Sequence, residues 1–238
     1  MALRQDQGIV LRGYPFGEAD KVVVLLSPNH GKVRAVAKGV RKTKSRFGGR
    51  LEPFTHVDVL LYEGRNLDTI TQVTVVEAFS HLRLELDRVL AAGTMVEAID
   101  AVAQEEAGSH RQFLLLQRGL RALEAGPVHP DLVAAFLLKL AAVVGVAPAL
   151  EACAECGSTE DLARFSLASG GVVCRSCSHD RGVKLRDGLT AHLAALAEAD
   201  LSELPPANDL SRDAIGITRR FVEFHLERRL ESLSLLDG

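Results

Sequence analysis

The stretch GIVLRGYPFGEADKVVVLLSPNHGKVRAVAKGV, residues 8–40, decides how the first part of the chain folds. It contains three short runs rich in Val, Ile and Leu, namely GIVLRG, KVVVLLS and GKVRAVAKGV, separated by Gly, Pro, Asn and Asp. Short β-branched runs between turn-forming residues are typical of β-strands. Two more such runs, FTHVDVLLYEG and LDTITQVTVVEAF, follow before residue 80. The first eighty residues therefore predict five strands.

Five strands in this length indicate a small barrel. The oligonucleotide-binding (OB) barrel has five strands and this size, and we predict an OB-type domain over residues 1–80. An SH3-like barrel remains open at this stage, because hydrophobic periodicity does not determine strand order.

The third strand leads into a segment that is unusually basic. Residues 31–50 contain eight Lys and Arg and no acid, although the whole chain has a formal net charge of −3. Because side chains alternate between the faces of a strand, Val33, Ala35 and Ala37 should point inward. The cations should then form a row on the surface that continues into a loop. We predict a DNA-binding surface formed by Lys32, Arg34, Lys38, Arg41, Lys42, Lys44, Arg46 and Arg50.

Beyond residue 80 the pattern becomes helical, with apolar residues at intervals of three and four. We predict a helical domain in two parts, residues 81–150 and 182–238, whose last segment, 211–236, is expected to be one helix. Residues 132–150 are apolar except for Lys139, which would cost roughly 3 kcal/mol at a bilayer centre. We therefore expect a buried helix there and no membrane span. The start of the chain does not resemble a signal peptide, so we expect a cytoplasmic protein.

All four cysteines lie within 25 residues, in two C-x₂-C pairs separated by seventeen residues. Each pair can present two sulfurs from one tight turn, and four thiolates complete a tetrahedral zinc site. We predict a zinc ribbon over residues 151–181, with one structural Zn²⁺ per chain held by Cys153, Cys156, Cys174 and Cys177. Disulfides or free buried thiols are the alternatives. His179 follows closely, but the ligand set is complete without it.

The sequence contains no motif for nucleotide binding or for a catalytic nucleophile. Glu18 and Asp20 could form a carboxylate pair for a metal, but we interpret them as solvated residues of a turn. Tyr14, Phe16 and Phe47 lie in predicted loops of the barrel, where they could stack on bases, although Tyr14 and Phe16 could equally fill the core. The sequence thus favours a protein that is not an enzyme.

Residues 8–54 resemble the N-terminal domain of the bacterial recombination mediator RecO family. The similarity rests on Gly8, the Gly17-Glu18-x-Asp20 turn, the Gly31-Lys32 turn, Ala37-Lys38-Gly39, Lys44-Ser45 and Leu51-x-Pro53-Phe54. It continues through helices interrupted by a four-cysteine ribbon and so covers essentially the whole chain.

The resemblance implies an α+β, multidomain protein of DNA repair that binds single- and double-stranded DNA and anneals complementary strands. It also implies that the protein works with RecR and single-strand-binding protein to load the RecA recombinase, and that it is associated with the nucleoid. Two other classes stay open: an RNA-binding or ribosome-associated factor, and a hydrolase without a recognisable motif.

Overall fold

The computed structural model describes residues 2–105, 107–179 and 181–234. Met1, Glu106, Asp180 and residues 235–238, which belong to the predicted domains, lie outside the described residues.

The N-terminal part is a closed five-stranded barrel. Its strands are β1 (Leu3–Phe16), β2 (Asp20–Ser27), β3 (Gly31–Ala37), β4 (His56–Tyr62) and β5 (Asp68–Glu77). Their order is β1-β2-β3-β5-β4, and every pairing is antiparallel except that between β3 and β5. The OB-type prediction is therefore confirmed.

Strand β1 is longer than the sequence predicts. It begins at Leu3 rather than near Gly8, and its first residues pair with β4, so that Leu3 lies opposite Tyr62. The segment RQDQG carries no apolar alternation, because its backbone pairing closes the barrel while its side chains are mostly polar. A hydrophobic pattern could not have revealed it.

Strand β2 is buried on both faces, which explains its unbroken apolar run. Val23 and Leu25 point into the barrel with Val33 and Ala35 of β3. Val24 and Leu26 lie on the outer face and join a second core formed by the helices. A strand covered on one side only would have shown polar residues at alternate positions.

The helices form the second layer against the barrel. They are α1 (Leu86–Val102), α2 (His110–Ala125), α3 (Leu132–Val143), α5 (Leu189–Glu198), α6 (Ser211–Leu226) and α7 (Glu231–Ser234). Helix α3 lies in the most apolar segment of the chain and is largely buried. Within the ranges that the structure describes, no helix is both long and apolar enough to cross a membrane.

The prediction of a single helix over residues 211–236 is wrong. Helix α6 ends at Leu226, because Glu227 adopts a left-handed conformation with φ of 50°. The chain then turns, and the Glu97 carboxylate accepts backbone hydrogen bonds from Glu231 and Ser232 at the start of α7. Helical periodicity continues across this turn, so the pattern alone concealed it.

A small ribbon is inserted between α3 and α5. It contains the strands β6 (Leu162–Ser166), β7 (Gly171–Cys174) and β8 (Val183–Lys184), in the order β7-β6-β8, and a single-turn helix α4 (Arg175–Ser178). Phe165 and Val172 of the ribbon belong to the helical core, so the insert is packed against the helices.

The turn between β2 and β3 fits into the loop between α1 and α2. Gly31 has a φ of +66°, and a Cβ there would lie 2.2 Å from the Gln104 carbonyl oxygen. Only glycine permits this approach. The neighbouring Lys32 N–H donates to the same carbonyl at 2.8 Å. The start of β3 is thereby fixed against the helical layer.

Candidate nucleic-acid interface and metal centre

The basic loop, which we define as residues 38–50, follows β3 and presents most of the predicted cations. Its six Lys and Arg side chains are exposed, and none forms an ion pair with a carboxylate in the part of the chain that the structure describes. These residues are Lys38, Arg41, Lys42, Lys44, Arg46 and Arg50. Unpaired cations on one loop create a local positive potential, although the chain as a whole is acidic.

Short contacts at its two ends hold the basic loop on the barrel. Asp20 Oδ1 accepts a hydrogen bond from the Gly39 N–H at 2.7 Å, and the Ala19 carbonyl accepts one from the Arg41 N–H at 3.0 Å. Farther along, the Phe47 side chain is inserted into the barrel core. Asp20 is the first residue of β2, is partly buried and supports the basic loop, so its interpretation as a solvated turn residue is wrong. Glu18 lies exposed in the turn, as expected.

Lys32 and Arg34 differ from the other six predicted cations. Lys32 Nζ lies 3.0 Å from Asp100 Oδ1 on α1, and Arg34 Nε lies 2.8 Å from Glu105 Oε1. Both project from the outer face of β3, as alternation predicts, but each faces an acid of the helical layer. A phosphate would have to compete with these carboxylates, and the role of both residues in DNA binding stays a prediction.

Asp100 binds two barrel cations at once. Arg12 Nε lies 2.8 Å from Asp100 Oδ2, opposite the contact with Lys32. Burial favours the neutral acid, but hydrogen bonds from Arg12 and then Lys32 outweigh burial and lower the pKa of Asp100. The carboxylate is therefore charged and joins α1 to two strands.

The three aromatic residues singled out for base stacking separate into two groups. Phe47 is only 2% exposed and is part of the barrel core, so the expectation that it stacks on bases is wrong. Tyr14 and Phe16, at the end of β1, are 38% and 48% exposed. Sequence could not distinguish them, because all three lie next to turns and loops.

The four cysteines converge. Their sulfur atoms all lie within 4.8 Å of one another, and Cys156 Sγ is 3.8 Å from Cys174 Sγ. A tetrahedral ion with metal–sulfur bonds of about 2.3 Å requires sulfurs about 3.8 Å apart. The four cysteines are not joined by disulfide bonds, so the geometry favours metal binding over the disulfide alternative. The cluster therefore fits the geometry of a four-coordinate metal ion and could hold one.

Backbone amides of the two C-x₂-C turns are directed at the sulfurs. The Cys174 N–H lies 3.4 Å from Cys153 Sγ, and the Gly157 N–H closes its turn on the Cys153 carbonyl at 2.9 Å. The N–H of Cys174 and then that of Cys156 lower the pKa of Cys153 to about 6. The neighbouring thiols, Cys174 first, raise the pKa of Cys177 to about 12. Four thiolates this close repel one another, and a dication at their centre removes that repulsion.

Sequence reasoning missed a second polar connection between barrel and helices. Glu77 at the end of β5 accepts hydrogen bonds from Arg121 Nε at 2.7 Å and from Gln117 Nε2 at 3.1 Å, both on α2. His56 of β4 is buried, and its Nδ1 lies 3.2 Å from the same carboxylate. These residues are far apart along the chain. The sequence indicated only that Gln117 and Arg121, at i and i+4, share one face of a helix.

The fold and the sites together define the class: a multidomain protein with an OB-type barrel, a helical domain, and a ribbon that carries a four-cysteine metal-binding cluster. The family models for the N terminal and C terminal of recombination protein O match residues 1–79 and 83–234. The chain is 45% identical over 242 residues to DNA repair protein RecO of Nocardioides sp., with 99% of each chain covered.

Two further relatives are similar over the same length. The chain is 43% identical to DNA repair protein RecO of Thermobifida fusca, with 100% of this chain and 99% of the relative covered. It is 41% identical to DNA repair protein RecO of Frankia casuarinae, with the same coverage. The chain belongs to the RecO family of DNA repair proteins.

Proposed function

We propose that this protein is a non-enzymatic recombination mediator that binds single- and double-stranded DNA through the basic loop and the outer face of β3. The observation that carries the proposal is the set of six exposed, unpaired cations on a loop anchored to an OB-type barrel. Phosphates are the groups that such a surface attracts, and phosphate contacts position a strand without reading its sequence.

The proposed activity is the annealing of complementary strands. Two strands repel each other as they approach, and cations at the meeting point lower that repulsion without any bond being made or broken. Membership of the RecO family further supports RecR and single-strand-binding protein as partners. Together with RecR, the protein would help to load RecA on DNA coated with single-strand-binding protein. A protein with this role acts in the cytoplasm, on the DNA of the nucleoid.

We also propose that the cysteine cluster holds one Zn²⁺ with a structural role. Four thiolates are the donor set that zinc takes in structural sites, and they leave no coordination position for water or substrate. The ion would join the two C-x₂-C turns and so fix β7 and the turns at either end of the ribbon. Cys153, Cys156, Cys174 and Cys177 would hold it.

The DNA-binding proposal is tested by removing charge from the basic loop. We expect the quadruple variant Lys38→Gln, Arg41→Gln, Lys42→Gln, Lys44→Gln to bind single- and double-stranded DNA more weakly, irrespective of base sequence. If about four phosphates are neutralised by the wild type, log Kd against log salt should have a slope of about 3 in magnitude on single strands, and a flatter one in the variant. Fluorescence anisotropy at several salt concentrations measures both.

The matched control removes the same charge from the helical part, at exposed cations on and after α6. It is the variant Arg212→Gln, Arg220→Gln, Arg228→Gln, Arg229→Gln. This control should bind as the wild type does. Equal losses of DNA affinity in both variants would show that net charge alone matters. An unchanged salt slope in the basic-loop variant would contradict the proposal. Preference of the wild type for structured RNA over single-stranded DNA would favour an RNA-binding factor instead.

A further inference from the structure

We propose that Tyr14 and Phe16 form a stacking platform for the unpaired bases of single-stranded DNA. The inference rests on the proposed function and extends it, because it assigns the recognition of bases to a part of the barrel that carries no cation of the basic loop. It concerns the ability of the protein to distinguish a single strand from a duplex.

The pairing of β1, β2 and β3 places both rings on the outer face of the barrel. Tyr14 lies opposite Val22, which in turn lies opposite Val36. The neighbours Val23 and Ala35 point into the barrel core, so by alternation this row points outward. Phe16 is two residues along from Tyr14 and therefore on the same face. The outer face of the second and third strands is where OB folds bind oligonucleotides.

The helical layer covers only part of this face. Leu11, Val24 and Leu26 are buried against the helices, whereas Tyr14 and Phe16 retain 38% and 48% of their accessible surface. Two exposed aromatic side chains on one face of a strand lose contact with water when flat rings cover them. Every base has a flat π-face and can therefore cover such a ring, whatever the base is.

The platform adjoins the basic loop. Phe16 pairs with Asp20, and Asp20 Oδ1 accepts the hydrogen bond from the Gly39 N–H at 2.7 Å. The turn that follows Phe16 is bound by Arg41, whose Nη1 donates to the Gly17 carbonyl at 3.3 Å. A strand whose phosphates contact the loop would thus bring its bases over the two rings.

A third group, the Arg12 guanidinium, lies over the Tyr14 ring. The guanidinium carbon of Arg12 lies 5.8 Å from the centre of the Tyr14 ring, and Asp100 holds that guanidinium in place. Cation–π contact keeps the ring oriented, and an arginine plane is itself a surface on which bases stack. Charge and aromatic surface together therefore fit a polyanion with exposed bases. Bases inside a duplex are already stacked and cannot occupy the platform.

The experiment compares single-stranded oligonucleotides with abasic strands of equal length, which keep the phosphates but lack the rings. We expect Tyr14→Ala and Phe16→Ala each to weaken binding to the base-containing strand by roughly tenfold, since each variant would lose the stacking of one ring on a base. Binding to the abasic strand and to duplex DNA should change by less than about twofold, and the salt slope should stay the same because no counterion contact is lost.

Three variants make the result specific. Tyr14→Phe keeps the ring and should retain wild-type affinity. Phe224→Ala removes another half-exposed aromatic residue, on α6, and should have no effect. Because the chain has no tryptophan, Phe16→Trp places a unique indole on the platform. Its emission should be quenched by the base-containing strand and not by the abasic one.

The outcomes distinguish this inference from the proposed function. The double variant Tyr14→Ala, Phe16→Ala could still show the same ratio of affinities for base-containing and abasic strands as the wild type. That result would disprove the stacking platform but leave the proposed DNA binding by the basic loop intact. An equal loss on duplex DNA, or a change in the oligomeric state of the variant, would also overturn it. If the wild type binds none of these nucleic acids, the proposed function fails as well.

Discussion

At the scale of single residues, the four thiols set the chemistry of the ribbon. Cys153 and Cys174 are buried, and Cys153 receives the backbone N–H of Cys174. The exposed His179 lies just beyond the last cysteine, but it is not a member of the cluster within the residues described. A closed set of four sulfurs is sufficient for a tetrahedral ion, so the histidine is not needed as a ligand.

The zinc proposal predicts about one zinc ion per chain in the reduced, purified protein. Cys153→Ser or Cys174→Ser should lower the zinc content and the midpoint of thermal unfolding, because three thiolates bind the ion more weakly and the folded ribbon depends on it. Elemental analysis and circular dichroism measure the two effects.

His179→Ala is the control and should keep its zinc and its stability. A folded, reduced wild-type preparation with far less than one zinc per chain would show that the cluster has another role.

At the scale of elements, the helical layer is joined to the barrel by carboxylates. Asp100 on α1 binds Arg12 and Lys32, and Glu77 on β5 binds Arg121 of α2. Burial tends to raise the pKa of Glu77, but hydrogen bonds from Arg121 and His56 lower it below its ordinary value. Both acids contribute to stability in their charged form, and both contacts hold β1, β3 and β5 in a fixed relation to α1 and α2.

The lowered pKa of Asp100 predicts a pH-dependent contribution to stability. Because the folded-state pKa lies below the ordinary value of 3.8, the contribution is complete above that value and is lost as pH falls through the folded-state pKa. Asp100→Asn should lower the free energy of unfolding by about 1–3 kcal/mol at neutral pH, and the difference from wild type should shrink below pH ~4. Urea unfolding between about pH 3 and 7 tests this.

Asp87→Asn is the matched control, since Asp87 is an exposed acid on the same helix. Its effect should be a few tenths of a kcal/mol at most. A difference between Asp100→Asn and wild type that stayed constant down to pH ~3 would show that shape, not charge, makes the Asp100 contact stabilising.

At the scale of the whole molecule, charge is divided between the two ends of the chain. The first eighty residues are net basic and the remainder is net acidic. Under the proposed function, the basic part would attract phosphates, while the acidic helical part would repel them and limit non-specific coating. The proposed function would then leave the helices and the ribbon for protein partners.

This division predicts how annealing should respond to solution conditions. The protein should accelerate the annealing of complementary strands without ATP, and the acceleration should fall steeply with added salt, because the cations act by screening phosphates. Neutralising Lys38, Arg41, Lys42, Lys44 and Arg46 together should abolish it. Stopped-flow measurement with fluorescently labelled strands follows the rate. A requirement for ATP, or full-rate annealing by the neutralised variant, would contradict this mechanism.

The sequence by itself was sufficient for the features that depend on local patterns. Alternation located the five strands and the two faces of β3, with Val33 and Ala35 inward and Arg34 outward. The C-x₂-C spacing located the metal-binding cluster, because two residues between cysteines already determine the shape of the turn. The absence of acids from residues 31–50 located the basic loop.

Only the tertiary structure decided which of these side chains remain available. Lys32 and Arg34 look like the other cations in sequence, but they face Asp100 and Glu105, about seventy residues away. Phe47 is a core residue, whereas Phe16 is exposed. The parallel pairing of β3 with β5 closes the barrel, and the helices pack over one part of its outer face. Such contacts depend on register and packing between distant segments, and no local periodicity encodes them.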